Sequence, residues 1–185
     1  LRRALSRCLP WMLMALSALS AFGGTAVEPL KVAYLYHFTH FIGWPDLPPG
    51  APFVIAVIGD PVLAEALRAL ERDERRVENR PIRIRTIETR ETESGLQCDD
   101  CQLLFVGAAA QDRIDRILDA VAGRAVLLVG DSPGLARRGV AINSFLKADI
   151  LGEGERLRFE MNPAALAGRG LKVSSQLYEV ARVLP

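Results

Sequence analysis

Three short aliphatic runs constrain the fold of this chain more than any other feature. Phe53–Ile58 (FVIAVI), Leu103–Val106 (LLFV) and residues 125–129 (AVLLV) contain no polar side chain. A strand with one face in water alternates apolar and polar residues, so a continuous run predicts a strand covered on both faces. Each run stops at glycine: Gly59-Asp60 after the first, Gly107 after the second, Gly130-Asp131 after the third. Helical spacing follows the first run at 62–72, with Pro61 in a permissive first-turn position. It follows the second at 111–122, where Ile114, Ile117, Leu118 and Val121 share one side. Parallel strands need crossovers of this kind.

Residues 29–42 place Leu30, Tyr34, Phe38 and Phe41 or Ile42 at helical spacing, and Gly43-Trp44-Pro45 stops that helix. Residues 82–87 (IRIRTI) alternate cleanly, which predicts a strand with one polar face near a sheet edge. Residues 140–146 and 157–161 read as two strands joined by a turn at 149–155. In the second, Leu157, Phe159 and Met161 alternate with Arg158 and Glu160, the pattern of an antiparallel hairpin. A final helix over 173–183 is capped by Ser174 or Ser175. The expected fold is a single-domain, three-layer α/β sandwich with a mostly parallel sheet and a C-terminal antiparallel hairpin.

Residues 1–26 stand apart from this domain, which occupies 27–185. Arg2, Arg3 and Arg7 precede an apolar stretch over 9–22, no acid occurs before Glu28, and Gly24-Thr25-Ala26 has a small-x-small pattern. That is the layout of a cleavable export signal, cut before Val27, and its apolar part is short of the roughly twenty residues a membrane span needs. The signal holds three of the positive charges behind the formal net charge of +1, so its removal leaves a mildly acidic chain. The remaining arginines are interleaved with acids, as in Glu71-Arg72-Asp73-Glu74-Arg75-Arg76, which reads as a solvated helix end. Nucleic acid is not an expected partner.

Chemistry concentrates in a few places. Cys98-Asp99-Asp100-Cys101 precedes the LLFV strand, and in an oxidising compartment the first expectation is a disulfide. A redox-active pair opens a helix, whose N-terminus lowers the thiol pKa; here the pair precedes a strand and holds two carboxylates that oppose a thiolate. A metal site would need two more ligands. His37 and His40 are spaced to share a helical face, and they read as one packed and one surface histidine, untied to the cysteines.

The Gly-Asp loops carry two readings. In an open parallel sheet the carboxyl ends of the strands gather at one edge, where ligands bind. The favoured reading is that glycine permits a tight turn and aspartate caps the next helix, because no glycine-rich phosphate loop is present. Asp60, Asp131, Ser132 and Asn143 are the candidate binding residues of this edge. Asn143, polar in an apolar run, either satisfies buried backbone or faces the crevice. Trp44 is either an exposed interface anchor or a core filler. There is no GxSxG elbow and too little histidine for a triad. No catalytic residue, metal or cofactor is expected, which moves weight toward binding or regulation.

The segments KVAYLYHFTHFIGWP (31–45), FVIAVIGD, NRPIRIRTI, CQLLFVG, VLLVGDSPGLARRGVAINSF (126–145), LRFEMNPAAL and GLKVSSQLYEVARV, in this order, resemble the YfiR/HmsC family. The resemblance covers nearly all of the chain after the signal. It implies a periplasmic protein that represses a membrane-bound diguanylate cyclase by binding its periplasmic sensory part, lowering cyclic di-GMP and biofilm formation. It also implies that an outer-membrane lipoprotein can sequester the repressor. Family members often carry a cysteine where Cys101 stands, some paired with a distant cysteine, and better-known members have a second pair in the C-terminal hairpin. Here 140–161 is free of cysteine, leaving Cys98 as the other half of any bridge. Such a bridge closes a very small loop and contributes little chain entropy. Base rates leave a homodimer open. Two other functions stand beside the regulator: a periplasmic small-molecule sensor module using the Gly59/Gly130 edge and feeding a membrane kinase or cyclase, and a thiol oxidoreductase.

Overall fold

The computed structural model describes residues 27–45, 47–89, 96, 98–148 and 155–184. Residues 1–26, where an export signal is expected, and most of the turn at 149–155 lie outside the described residues. The chain opens with helix α1 (Val27–Phe41), followed by β1 (Ile42–Gly43), β2 (Phe53–Ile58), α2 (Pro61–Arg72), β3 (Arg76–Val77) and β4 (Arg80–Ile87). Then come β5 (Leu103–Val106), a 3-10 turn (Ala108–Arg113), α3 (Ile114–Ala120), β6 (Leu127–Gly130) and a second 3-10 turn (Leu135–Arg138). The C-terminal part holds β7 (Ile142–Ala148), β8 (Glu155–Met161), α4 (Pro163–Ala167), β9 (Lys172–Val173), α5 (Ser175–Val180) and β10 (Arg182–Val183).

Eight strands form one sheet in the order β10-β8-β7-β6-β5-β2-β4-β3. From β4 through β7 every neighbour is parallel, with Ile55 opposite Ile84 and Leu103, and Leu103 opposite Leu127. β7 and β8 form the antiparallel hairpin, with Ser144 opposite Phe159. β10 then adds in parallel to β8. The alternating strand and helix segments thus produce the three layers expected. Phe53, Ile55, Val57, Leu103, Phe105, Leu127 and Val129 face Leu35 and Phe38 of α1 and Leu63 and Leu67 of α2. Val54, Ala56, Ile58, Leu104, Val106 and Leu128 face Ile114, Ile117 and Val121. Every residue of β2, β5 and β6 is buried, because both faces are covered.

The last helix differs from expectation. Only Ser175–Val180 is helical, with Ser174 as the cap. Val173 pairs with Ile42, and Arg182 and Val183 pair with Glu160 and Met161. Strand pairing claims the β-branched ends of the segment, where context overrides helical spacing. The helix expected over 111–122 is entered through a 3-10 turn and is α-helical only from Ile114 to Ala120. α4, capped by Asn162 through the Ala165 amide at 3.0 Å, was not anticipated.

Candidate functional site

Two turns close the carboxyl edge of the parallel strands. Gly59 has φ +77, and a Cβ there would lie 2.7 Å from the Ala110 amide nitrogen. A Cβ on Gly107 would lie 2.6 Å from the Gly59 carbonyl oxygen. The turns after β2 and β5 therefore pack backbone against backbone, and glycine serves close approach here rather than a ligand cradle. Asp60 follows Gly59 and caps α2, its Oδ1 accepting from the Leu63 amide at 2.9 Å.

The opposite carboxylate oxygen of Asp60 faces an ammonium. Lys31, one turn into α1, donates to Asp131 Oδ2 at 2.7 Å and lies 3.7 Å from Asp60 Oδ2. Its Nζ also sits 5.8 Å from the centre of the Phe105 ring. Burial opposes the charge on Lys31 more than any other single influence. The bond from Asp131 and the charges of Asp131, Asp60 and Glu28 together outweigh burial and raise the lysine pKa. The protein thus fills its own sheet-edge crevice with a side chain that the sequence reading did not single out. The available signal was a lone lysine between Leu30 and Val32 in a run, 29–36, with no other charged residue.

The structure brings Asp60 and Asp131 together on Lys31, and Ser132 follows Asp131 in the chain. Ser132 is 2 % exposed, and its hydroxyl has no hydrogen-bond partner, nor has Asp131 Oδ1. Asn143 pairs with Gly130 in register, and a Cβ on Gly130 would lie 3.2 Å from Asn143 Oδ1 and 2.6 Å from Leu135 Cδ1. Leu135 belongs to the α3 side of the sheet, so Asn143 faces away from Lys31. Ser144, the next residue, lines the space under Lys31 and donates to the Gly130 carbonyl at 3.1 Å. Strand alternation sends the two neighbours to opposite faces.

Trp44 lies at the other end of the sheet. It is 8 % exposed, its indole donates to the Gln102 carbonyl at 3.1 Å, and it meets Phe53 edge to face with ring centres 4.8 Å apart. The core-filling reading of Trp44 holds, and the exposed-anchor reading does not. Cys98 and Cys101, at the same end, form a disulfide with a Cα–Cα distance of 5.3 Å. Both cysteines are buried in the α3-side core. Arg124 donates to the Cys98 carbonyl and lies 3.4 Å from Asp99. Asp100 takes both amino groups of Arg85 at 2.6 Å, and that bond is the main reason its carboxyl is held below the usual range. The motif's acids thus point to arginines outside while its sulfurs point inward. A cleft of about 430 Å³ opens here between Pro45, Leu47 and Pro52 on one wall and Asp99 and Arg124 on the other.

His37 and His40 are both exposed, which corrects the expectation that one is packed. His40 leans on the Tyr36 ring, and its Nδ1 lies 3.0 Å from the Tyr36 carbonyl. Among the described residues no three acids, histidines or cysteines converge on a metal position, and no helix is long and apolar enough to cross a membrane.

The fold and site define a three-layer α/β domain whose carboxyl edge is closed by its own chain. The chain belongs to the YfiR/HmsC-like family, which it matches over residues 28–182. Its fold is similar to the crystal structure of a conserved domain protein from Vibrio cholerae O1 biovar El Tor strain N16961, with a TM-score of 0.57 at 14% identity. That likeness covers 86% of this chain and 60% of the other, and at this identity it concerns the fold alone. None of the curated proteins matches this chain.

Proposed function

We propose that this protein is a periplasmic regulator that binds the periplasmic sensory part of an inner-membrane diguanylate cyclase and represses it, lowering cyclic di-GMP and biofilm formation. Family membership across residues 28–182 is the observation that carries this reading. Export through residues 1–26 would deliver the domain to the outer face of the inner membrane, and an outer-membrane lipoprotein that captures it would relieve repression. Its action is by contact, without catalysis. Two exposed aliphatic side chains support a contact role: Leu30 at 41 % and Val62 at 64 % exposure, next to Lys31 and close after Asp60 in sequence. Burying such side chains against a partner contributes about 25 cal/mol per Å² of apolar area.

Calorimetric titration of the purified protein with the periplasmic segment of a membrane cyclase encoded beside it tests the reading directly. Saturable binding is expected, and Leu30→Asp with Val62→Asp should weaken it at least about tenfold if these side chains lie in the contact. Deleting the gene should raise cyclic di-GMP and surface attachment. No binding, together with unchanged cyclic di-GMP in the deletion strain, would refute the proposal.

A further inference from the structure

The carboxyl edge of the parallel strands holds a set of contacts suited to one primary ammonium, and the chain supplies that ammonium itself. Two carboxylates converge on Lys31 Nζ, at 2.7 Å from Asp131 and 3.7 Å from Asp60. The Phe105 ring faces the same nitrogen at 5.8 Å, within the range at which an aromatic quadrupole attracts a cation. All three polar side chains are largely withdrawn from water: 14 % exposed for Lys31 and Asp131, 18 % for Asp60. Shielding of this degree strengthens each charge interaction.

The site also has an acceptor that the lysine leaves unused: Asp131 Oδ1 is buried without a hydrogen-bond partner. An alkylammonium has three N–H donors, and Lys31 donates one hydrogen bond, to Asp131. Two carboxylates face a single positive charge. A flexible ligand with the same head group could therefore use the site at least as fully as a lysine constrained by its helix.

What Lys31 holds in place is narrow. No residue of α1 before Leu35 is fully buried, whereas Leu35, Phe38 and Thr39 are. The C-terminal half of α1 is fixed by core packing, including Tyr34 and Phe38 against Phe159 with ring centres 4.5 and 5.1 Å apart. Before Tyr34 the helix packs on the core only through the partly buried Val32, so the docking of its first two turns rests heavily on the Lys31 contacts. Segments of few buried contacts open locally without global unfolding.

We propose that Asp60, Asp131 and Phe105 form a binding site for a primary alkylammonium group, kept filled by Lys31 as a releasable latch, so that a free alkylamine can replace Lys31 and release the first two turns of α1. This goes beyond the regulatory reading and does not depend on any partner. The tethered lysine competes as an intramolecular ligand at an effective concentration of about millimolar or higher. Wild-type protein therefore responds only to high amine, and removal of the lysine side chain uncovers the site.

The test is chemical rescue with n-butylammonium, the lysine side chain without its backbone. Purified Lys31→Ala protein should melt lower than wild type, and amide hydrogen exchange over residues 27–34 should accelerate about tenfold to hundredfold, the equivalent of losing a charged hydrogen bond. Millimolar n-butylammonium should restore much of the lost Tm in Lys31→Ala. Tetramethylammonium, which has no N–H, and butyrate should not, and the rescue should vanish in Lys31→Ala/Asp131→Asn. Equal stabilisation by tetramethylammonium, rescue that survives Asp131→Asn, or no amine effect would each overturn the proposal. Should Lys31→Ala fail to fold, wild type titrated with n-butylammonium provides the same decision: exchange over 27–34 must accelerate relative to 35–41, and uniform exchange refutes the latch. Because no cyclase enters these experiments, their outcome is independent of whether the protein is a cyclase repressor.

Discussion

Gly107→Ala tests the closed carboxyl edge through sterics alone. Gly107 has φ −77 and ψ 167, an extended conformation that alanine adopts freely, so the substitution introduces no backbone strain. The new methyl would meet the Gly59 carbonyl oxygen at 2.6 Å, the Asp60 Cβ at 2.7 Å and the Gly59 carbonyl carbon at 2.8 Å. Two of those three atoms are backbone, so relief requires the turn after β2 to move. Overpacking of this kind costs about 1–3 kcal/mol. For a domain of this size each kcal/mol lowers Tm by about 2–4 °C, which gives an expected fall of about 2–12 °C. Gly123→Ala is the matched control, since its φ of +70 imposes strain but nothing lies within 4 Å of the new Cβ. It should cost about 1 kcal/mol from conformation alone. Urea denaturation of both variants at neutral pH separates the two terms. Movement of Asp60 should also loosen the contact with Lys31, so hydrogen exchange over residues 27–34 should rise in Gly107→Ala and stay at wild-type rates in Gly123→Ala. A Gly107→Ala protein within about 0.5 kcal/mol of wild type, with unchanged exchange, would refute the claim that these turns pack backbone to backbone.

Three further outcomes follow from the same geometry. The Lys31 pKa is raised above 10.5, so its contribution to stability is fully present below that pH and is lost as pH climbs through the higher folded value. Asp131→Asn should cost about 1.5–3 kcal/mol at pH 8, with the gap to wild type shrinking as pH rises above 10.5; a gap independent of pH would sink the ion-pair assignment. Trp44→Ala removes a buried ring and the donor to the Gln102 carbonyl, and should cost about 3–5 kcal/mol in denaturant melts; a loss under about 1 kcal/mol would contradict its core position. Replacing Cys98 and Cys101 together by alanine should cost only about 2 kcal/mol, because the bridge spans a sequence separation of 3; a loss above about 4 kcal/mol would show that it holds more than a local loop.

Local pattern determined most of the framework. Continuous aliphatic runs announced the doubly covered strands, Pro61 and Asp60 the start of α2, and the alternation at Leu157, Phe159 and Met161 the hairpin. Each of these signals is complete within a few residues, so neighbouring chain suffices to read it. The arrangement of the site was not of that kind. Lys31 and Asp131 stand 100 residues apart, and Trp44 and Gln102 are separated by 58, so only the folded sheet could bring each pair together. The strand pattern already put Asp60 and Asp131 at one edge, but only the fold brought Lys31 between them and set Trp44 at the other end with the cysteines. Tertiary pairing also shortened the last helix, since Val173 and Val183 gain ladder partners that helical spacing takes no account of. The physical reason is range: propensity and periodicity act over one or two turns, whereas a buried charge finds its partner only where the whole fold excludes water.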